Sequence, residues 1–263
     1  MGRQNAQPLT NYFPYGMKGK NVPIKPTIFF VLDTETSGDG GTVHDFAWIA
    51  TDRNGKEYSR GSYFFTEVFS EDKKLAKKLA DYAVLFDERK ISHGSWDDVR
   101  DKFNREIGWL QSEGHRVIVA AYNAAFDYDR LNLTEFMLHS DKYHIQHGIL
   151  KGVRDPSLAE YITGNVDWMD IWMQWAQSCP RGYQSEKRTK KGWMQTRAED
   201  VGRFEVDPDY VQHHYALADC EGEKLILLRS LARKKGLHVN TIFDTFPAEV
   251  AHSRIIRAGM VAA

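Results

Sequence analysis

Ile28-Phe29-Phe30-Val31-Leu32 runs without a polar residue and ends on Asp33-Thr34-Glu35-Thr36. Five consecutive apolar side chains cannot all lie on one face of a period-2 strand, so this strand is expected to be covered on both faces. Strands of that kind belong to sheets with helices packed on each side, where sites form at the carboxyl ends of the strands. Asp33 and Glu35 stand at that end. If the strand continues through them, both side chains share one face. Two like charges held there repel, and a bound cation offsets the repulsion.

Outward from this strand, Val43 to Thr51 and Lys56 to Phe65 read as two further strands. Asp52-Arg53-Asn54-Gly55 between them carries an Asn-Gly signal, so the pair is predicted to be a hairpin. Helices are predicted over 70–86 and 97–112. Val117-Ile118-Val119-Ala120-Ala121 is a second buried strand, ending at Tyr122-Asn123, with a helix from about Asp127 to Leu138 after it. Residues 139–166 read as irregular, and a short strand runs from Val166 to Ile171. The last predicted element is a helix reaching Arg233, with Val211, Tyr215, Ala218, Gly222, Leu225, Leu228 and Ala232 as its apolar seam. The expected fold is α/β: a mixed five-stranded sheet flanked by helices. Residues 1–26 read as an N-terminal extension closed by Pro23 and Pro26, 27–236 as the domain, and 237–263 as a C-terminal appendage.

The bulk numbers narrow the classes. The chain has 263 residues, 42% hydrophobic and 13% aromatic, enough for one substantial core. Its formal net charge of −1 gives no support to a generally basic nucleic-acid binder, so local charge has to carry any such role. Cys179 and Cys220 are far apart and form no Cys-x-x-Cys pair, which argues against a disulfide framework or a zinc site and fits a cytoplasmic location. No apolar run approaches the roughly 20 residues that cross a bilayer, so no membrane partner is expected. The opening Met1-Gly2-Arg3-Gln4-Asn5-Ala6 lacks a signal-peptide core, and Ala6 stands where myristoylation calls for Ser or Thr.

Three acidic patterns occur in order: Asp33-Thr34-Glu35-Thr36, Asn123-Ala124-Ala125-Phe126-Asp127 and His214-Tyr215-Ala216-Leu217-Ala218-Asp219. Taken singly each has an ordinary reading. Asp127 begins a helix, where a cap or dipole partner is usual. Asp219 reads as mid-helix beside the seam, a place its propensity disfavours. Carboxylates converging from distant segments suit a pair of hard divalent cations acting on a phosphate ester. Together the patterns resemble the three motifs of the DnaQ-like, or DEDDh, 3′→5′ exonucleases of the RNase H-like superfamily. The resemblance spans residues 28 to about 233. It includes a helix from Thr196 to Phe204 before the third motif, and Trp168-Met169-Asp170-Ile171 in the place of that family's fifth strand.

The resemblance implies an RNase H-like sheet and a metal-dependent 3′→5′ exonuclease. Its substrates would be single-stranded ends, with DNA favoured, and its products nucleoside 5′-monophosphates. It implies two Mg²⁺ ions, with Mn²⁺ able to substitute. Asp33 would bridge both, Glu35 and Asp219 would hold the hydrolytic one, and Asp127 would help hold the other. Two residues compete as the general base. His214, five before Asp219, fits the histidine branch of the family, and Tyr215, four before, fits the tyrosine branch. Residues five apart in an unbroken helix diverge by about 140°, so His214 serves only if the helix starts late, near Tyr215 or Ala216. Ala216-Leu217 resembles the histidine branch, and His214 is the reading adopted, with Tyr215 as the alternative.

Substrate contacts are expected from Thr34, Thr36, Asn123 and Phe126 beside the acids. A second set is expected from the basic run 181–197, where Arg181, Lys187, Arg188, Lys190, Lys191 and Arg197 are interleaved with Tyr183 and Trp193. Cations follow phosphates and rings stack on bases; Lys190, Lys191 and Trp193 are the contacts named. Trp168, Trp172 and Trp175 read as packing. The rival readings are an exoribonuclease of the same fold, a proofreading subunit held by a polymerase or another replication or repair protein, and a nucleic-acid-binding module without catalysis.

Overall fold

A computed structural model describes residues 25–36, 41–69, 82–88, 90–139, 161–163, 166–185, 187–190, 192, 194–234 and 236–240. Its sheet contains β1 (Ile28–Thr36), β2 (Val43–Asp52), β3 (Glu57–Phe64), β4 (Ser92–His93), β5 (Val117–Ala121) and β6 (Asp167–Asp170). The order across the sheet is β4-β3-β2-β1-β5-β6. β1 runs antiparallel to β2 and parallel to β5; β2–β3 is antiparallel, and β3–β4 and β5–β6 are parallel. The mixed sheet flanked by helices expected from the sequence is present, with six strands rather than five. The additional strand, β4, is two exposed residues pairing with Tyr63 and Phe64 at the edge, too short to carry any hydrophobic period.

The apolar run of β1 is explained by its two partners. Ile28, Phe30 and Leu32 face a core shared with α3 (Trp96–Ser112) and α4 (Ala124–His139), while Phe29 and Val31 face one shared with α5 (Ile171–Gln177), α6 (Ala198–Glu205) and α7 (Ala216–Arg233). In the first core the Phe103 ring of α3 meets Phe30, Phe46 and Trp48 edge-on at centroid distances of 5.3, 5.4 and 5.1 Å. Burying each such ring contributes up to about 3 kcal/mol. In the second core, Trp175 and Met169 sit against Val201, Ile226 and Leu227. Trp168, in the first core, and Trp175, in the second, are packing residues, and Trp172 joins the second core at its margin.

Boundaries differ where polar residues obscure the pattern. α3 starts at Trp96 because Ser95 caps it, its hydroxyl accepting from Asp98 N. The predicted helix over 70–86 lies mostly outside the described residues; α1 (Thr66–Phe69) precedes that gap and α2 (82–87) follows it. The seam predicted for the last helix is largely wrong, with Gly222 the one member of it that is buried. α7 begins at Ala216, so Val211 and Tyr215 are not in it, and Val211 and Leu225 are exposed. Its buried side carries Ala216, Asp219, Cys220, Gly222, Glu223, Ile226, Leu227, Ser230 and Leu231. Two acids and a serine occupy the inward stripe, and a reading guided by hydrophobicity rotates away from them. Residues 237–240 continue onto the fold: Leu237 and Val239 pack on the second core, and Asn240 Oδ1 accepts from Trp168 N. Residues 1–24 and 241–263 lie outside the described residues. Among those described, no helix is long and apolar enough to cross a membrane.

Candidate active site

β1 and β5 are parallel neighbours and end on the same edge of the sheet. β1 delivers Asp33 and Glu35 there. β5 ends in the turn Tyr122-Asn123, where Asn123 takes the left-handed conformation (φ 64°), and α4 starts at once. Asn tolerates that conformation better than most residues. Asp127 falls in the first turn of α4, buried, and accepts a 2.8 Å hydrogen bond from the Thr34 hydroxyl.

The third segment reaches the same edge through an interrupted helix start. Asp219 is in the first turn of α7, not in mid-helix. Its two carboxylate oxygens accept from His213 N and His214 N, each at 3.0 Å. This folds the chain back before the helix, with His214 at φ 58°. A non-glycine residue held in that region is strained, and strain of this kind collects at functional sites. The late start places the His214 ring beside the acids despite its being five before Asp219: Nδ1 is 3.9 Å from Glu35 Oε1. Glu35, His214 and Asp219 each offer a ligand atom within 4.8 Å of the others. Tyr215 turns the other way, into an apolar cluster with Phe64, Tyr82 and Ile91, its ring 5.4 Å from that of Tyr82.

Tyr215 provides no side-chain cap for α7. The carboxylate of Asp45, on β2 opposite Glu35, does so across the sheet: Oδ2 accepts from Ala216 N (3.0 Å) and from the Tyr82 hydroxyl (2.9 Å). Burial pushes the Asp45 carboxyl up to about 7 against these two bonds, with Glu35 and Asp219 adding to the rise.

Charge is concentrated around Asp33. Its Oδ2 is buried and has no hydrogen-bond donor. Burial holds its carboxyl well above the usual carboxylate range, and the charges of Glu223, Asp127, Glu35 and Asp219 raise it further. Asp127 is pushed up to about 8, chiefly by burial, with the Thr34 bond opposing. Asp219 is raised by burial against the two histidine N–H groups. A buried anionic oxygen without a donor is costly. An all-oxygen set of this kind, ringed by carboxylates, fits hard divalent cations such as Mg²⁺ or Mn²⁺.

No protein-family model matches the chain, and no curated protein matches it. Solved structures to which the chain is similar include two nucleases. One is described as Exonuclease X in complex with 5′ overhanging duplex DNA, with TM-score 0.42 and 15% identity over 86% of this chain and 99% of that one. The other is cell-death related nuclease 4, with TM-score 0.46 and 16% identity over 81% of this chain and 66% of that one. Neither likeness carries an activity to this chain.

Sequence reasoning missed Glu223 and Asp45. Glu223 is buried on α7, one turn after Asp219, and its charge raises the Asp33 carboxyl more than that of any other neighbouring acid. The four-residue spacing placed it on the same helix face and was the available signal. Asp45 breaks the apolar stretch of β2, whose ten residues are all buried, which was also visible.

The expected substrate contacts divide. Thr34 is buried with its hydroxyl turned to Asp127, Thr36 is half-buried at the end of β1, and Asn123 is exposed at the edge. Phe126 is half-buried, with the Arg130 guanidinium 5.3 Å above its ring. Lys190 is exposed, while Lys191 and Trp193 lie outside the described residues. Tyr183 is no stacking platform: it is fully buried between Trp175 and Phe204, and its hydroxyl donates to Gln195 O. A ring in a basic run reads as exposed by its neighbours; packing against Trp175 of α5 and Phe204 near the end of α6 decided otherwise.

One packing detail sets the approach to His214. The Tyr210 ring lies against Gly202 of α6 and Gly222 of α7; a Cβ would come within 2.4 Å of it at the first and 2.0 Å at the second. Arg203 Nε holds the Tyr210 carbonyl at 3.1 Å. Gly222→Ala is therefore expected to displace Tyr210 and the 207–215 segment. Thermal unfolding should show a loss of about 1–3 kcal/mol, and an unchanged midpoint would disprove the clamp.

Proposed function

We propose that this protein is a cation-dependent 3′→5′ exonuclease that shortens single-stranded nucleic acid, preferring DNA, and releases nucleoside 5′-monophosphates. The observation that carries the reading is the donorless Asp33 oxygen among carboxylates from three distant segments, with an exposed histidine at its rim. Asp33, Glu35, Asp127 and Asp219 are the residues that would hold the ions. When bound, divalent cations lower the pKa of water and neutralise developing charge on phosphate oxygens. The remaining work falls to the chain's own groups. His214 is 70% exposed in its side chain and faces Glu35; it would take the proton from an attacking water. The Asp219 bonds to its backbone fix where the ring starts. Asn123, Thr36 and Phe126 would contact the last nucleotide, and Lys190 would follow the strand's phosphates.

The test is digestion of single strands labelled at either end, as DNA and as RNA, with Mg²⁺ and with chelator. Release of labelled mononucleotide from the 3′ end first, faster for DNA and absent with chelator, is expected. Release from the 5′ end, or chelator-resistant cleavage, would refute the reading. RNA turning over faster would make this an exoribonuclease.

Stability should follow the same charges. An acid whose folded-state pKa is raised above its unfolded value of about 3.9 stabilises the fold only while protonated. Without cations, stability is therefore expected to fall as pH rises from about 4 towards the Asp127 value of about 8. At pH 8, Mn²⁺ at about 100 times its dissociation constant should restore about 2.7 kcal/mol per site, or about 5–10 °C in midpoint. Melting curves in chelator that are flat with pH, or no shift with Mn²⁺, would contradict this.

A further inference from the structure

We propose that Glu223 and Asp170 are positioning residues: they grip two successive peptide N–H groups and so fix the turn that aims Asn123 and Asp127. Tyr122 N donates to Glu223 Oε2 at 3.1 Å, and Asn123 N donates to Asp170 Oδ1 at 3.3 Å. The two carboxylates come from different elements, one from α7 and one from the end of β6. The turn they hold has Asn123 in the left-handed conformation. It passes straight into α4, because Phe126 N returns a 2.8 Å bond to Asn123 O. The orientation of these two peptides therefore sets where the first turn of α4, and with it Asp127, points. A third tie comes from the Tyr122 hydroxyl, which donates to Thr196 O at 2.6 Å.

Asp170 does two jobs with one side chain. It also caps α5, accepting from Trp172 N (2.9 Å) and Met173 N (3.4 Å), so the start of α5 and the turn before α4 move as one piece. Glu223 performs its part at an electrostatic cost, since it adds charge beside Asp33. Burial and the charges of Asp127, Asp219 and Asp170 hold the Glu223 carboxyl well above the usual carboxylate range, and the Tyr122 N–H opposes that rise. Glu223 is 2% exposed, and its bond to Tyr122 N joins α7, which carries Asp219, to the segment that carries Asp127. The spacing between those two acids is held by this link rather than by their own contacts.

The inference rests on the reading of the acids as a cation site, and the experiment separates the two. Glu223→Gln keeps an acceptor for Tyr122 N, and Glu223→Leu removes it; Glu223→Ala serves if the branched side chain prevents folding. Amide hydrogen exchange at Tyr122 and Asn123, in cation-free protein, reads the grip whatever the protein hydrolyses. Exchange is expected to quicken at least about tenfold in the Leu variant and to stay near wild type in the Gln variant. Mn²⁺ affinity and kcat should fall by about 10–100-fold in the Leu variant, with KM for the strand little changed and with Gln restoring both to within about threefold. Unchanged amide exchange in the Leu variant, or a Gln variant as impaired as the Leu one, overturns the proposal. Wild-type protein that binds no Mn²⁺ overturns the cation site instead, and leaves the amide result to decide the grip.

Discussion

Asp33→Asn is expected to lower turnover by about 10⁴, roughly 5.5 kcal/mol of barrier, and at the same time to raise the thermal midpoint of the cation-free protein. The two effects have one cause. Asp33 lies on β1 where four other carboxylates act on it, and its Oδ2 has no donor. Removing its charge relieves repulsion that, in the absence of cations, only protonation can relieve. On the proposed reading it also removes a carboxylate that would hold the cations. An amide adds donors that neighbouring carboxylates can accept. In chelator at pH 8 the midpoint should rise by about 3–8 °C, and Mn²⁺ should no longer add to it. A variant that keeps its turnover, or that melts lower than wild type in chelator, would show that the site is not strained by its own charge. Sites that trade stability for activity behave in the expected way; acids that serve only the fold do not.

His214→Ala is expected to cost about 10²–10⁴ in rate with Mn²⁺ affinity retained, and Tyr215→Phe is expected to change little. The separation follows from where α7 starts. With Tyr215 at the cap position, the His214 ring faces Glu35, and the Tyr215 ring packs with Tyr82. Had the helix continued back through residue 214, the histidine would have pointed away and the tyrosine would have met the acids. Rates and Mn²⁺ titrations on both variants check this, and the reverse ranking would put the general base at Tyr215.

The sequence was most informative where residues differ sharply from their surroundings. β1 and β5 were legible as apolar runs, and the acids that end them marked the edge of the sheet. Sequence alone could state the condition for His214, a late helix start, but not whether it was met. The bonds that meet it come from Asp219 back to residues 213 and 214, and from Asp45 across 171 positions to Ala216. Contacts of that range leave no local pattern. The α7 seam failed for a related reason. A helix whose buried stripe includes Asp219, Glu223 and Ser230 looks, to a hydrophobicity count, as though it faces elsewhere. Tyr183 failed in the opposite sense: charged neighbours suggested exposure for a ring that Trp175 and Phe204 cover. β4, at two residues, carried too little pattern to find.

The most direct measurement is a crystal soaked in Mn²⁺ and examined by anomalous diffraction at the manganese edge. Two peaks are expected, both within coordination distance of Asp33, one also reached by Glu35 and Asp219 and the other by Asp127. Peaks elsewhere on the molecule, or none at this edge of the sheet in a protein that remains folded, would contradict the assignment of these carboxylates to a cation pair.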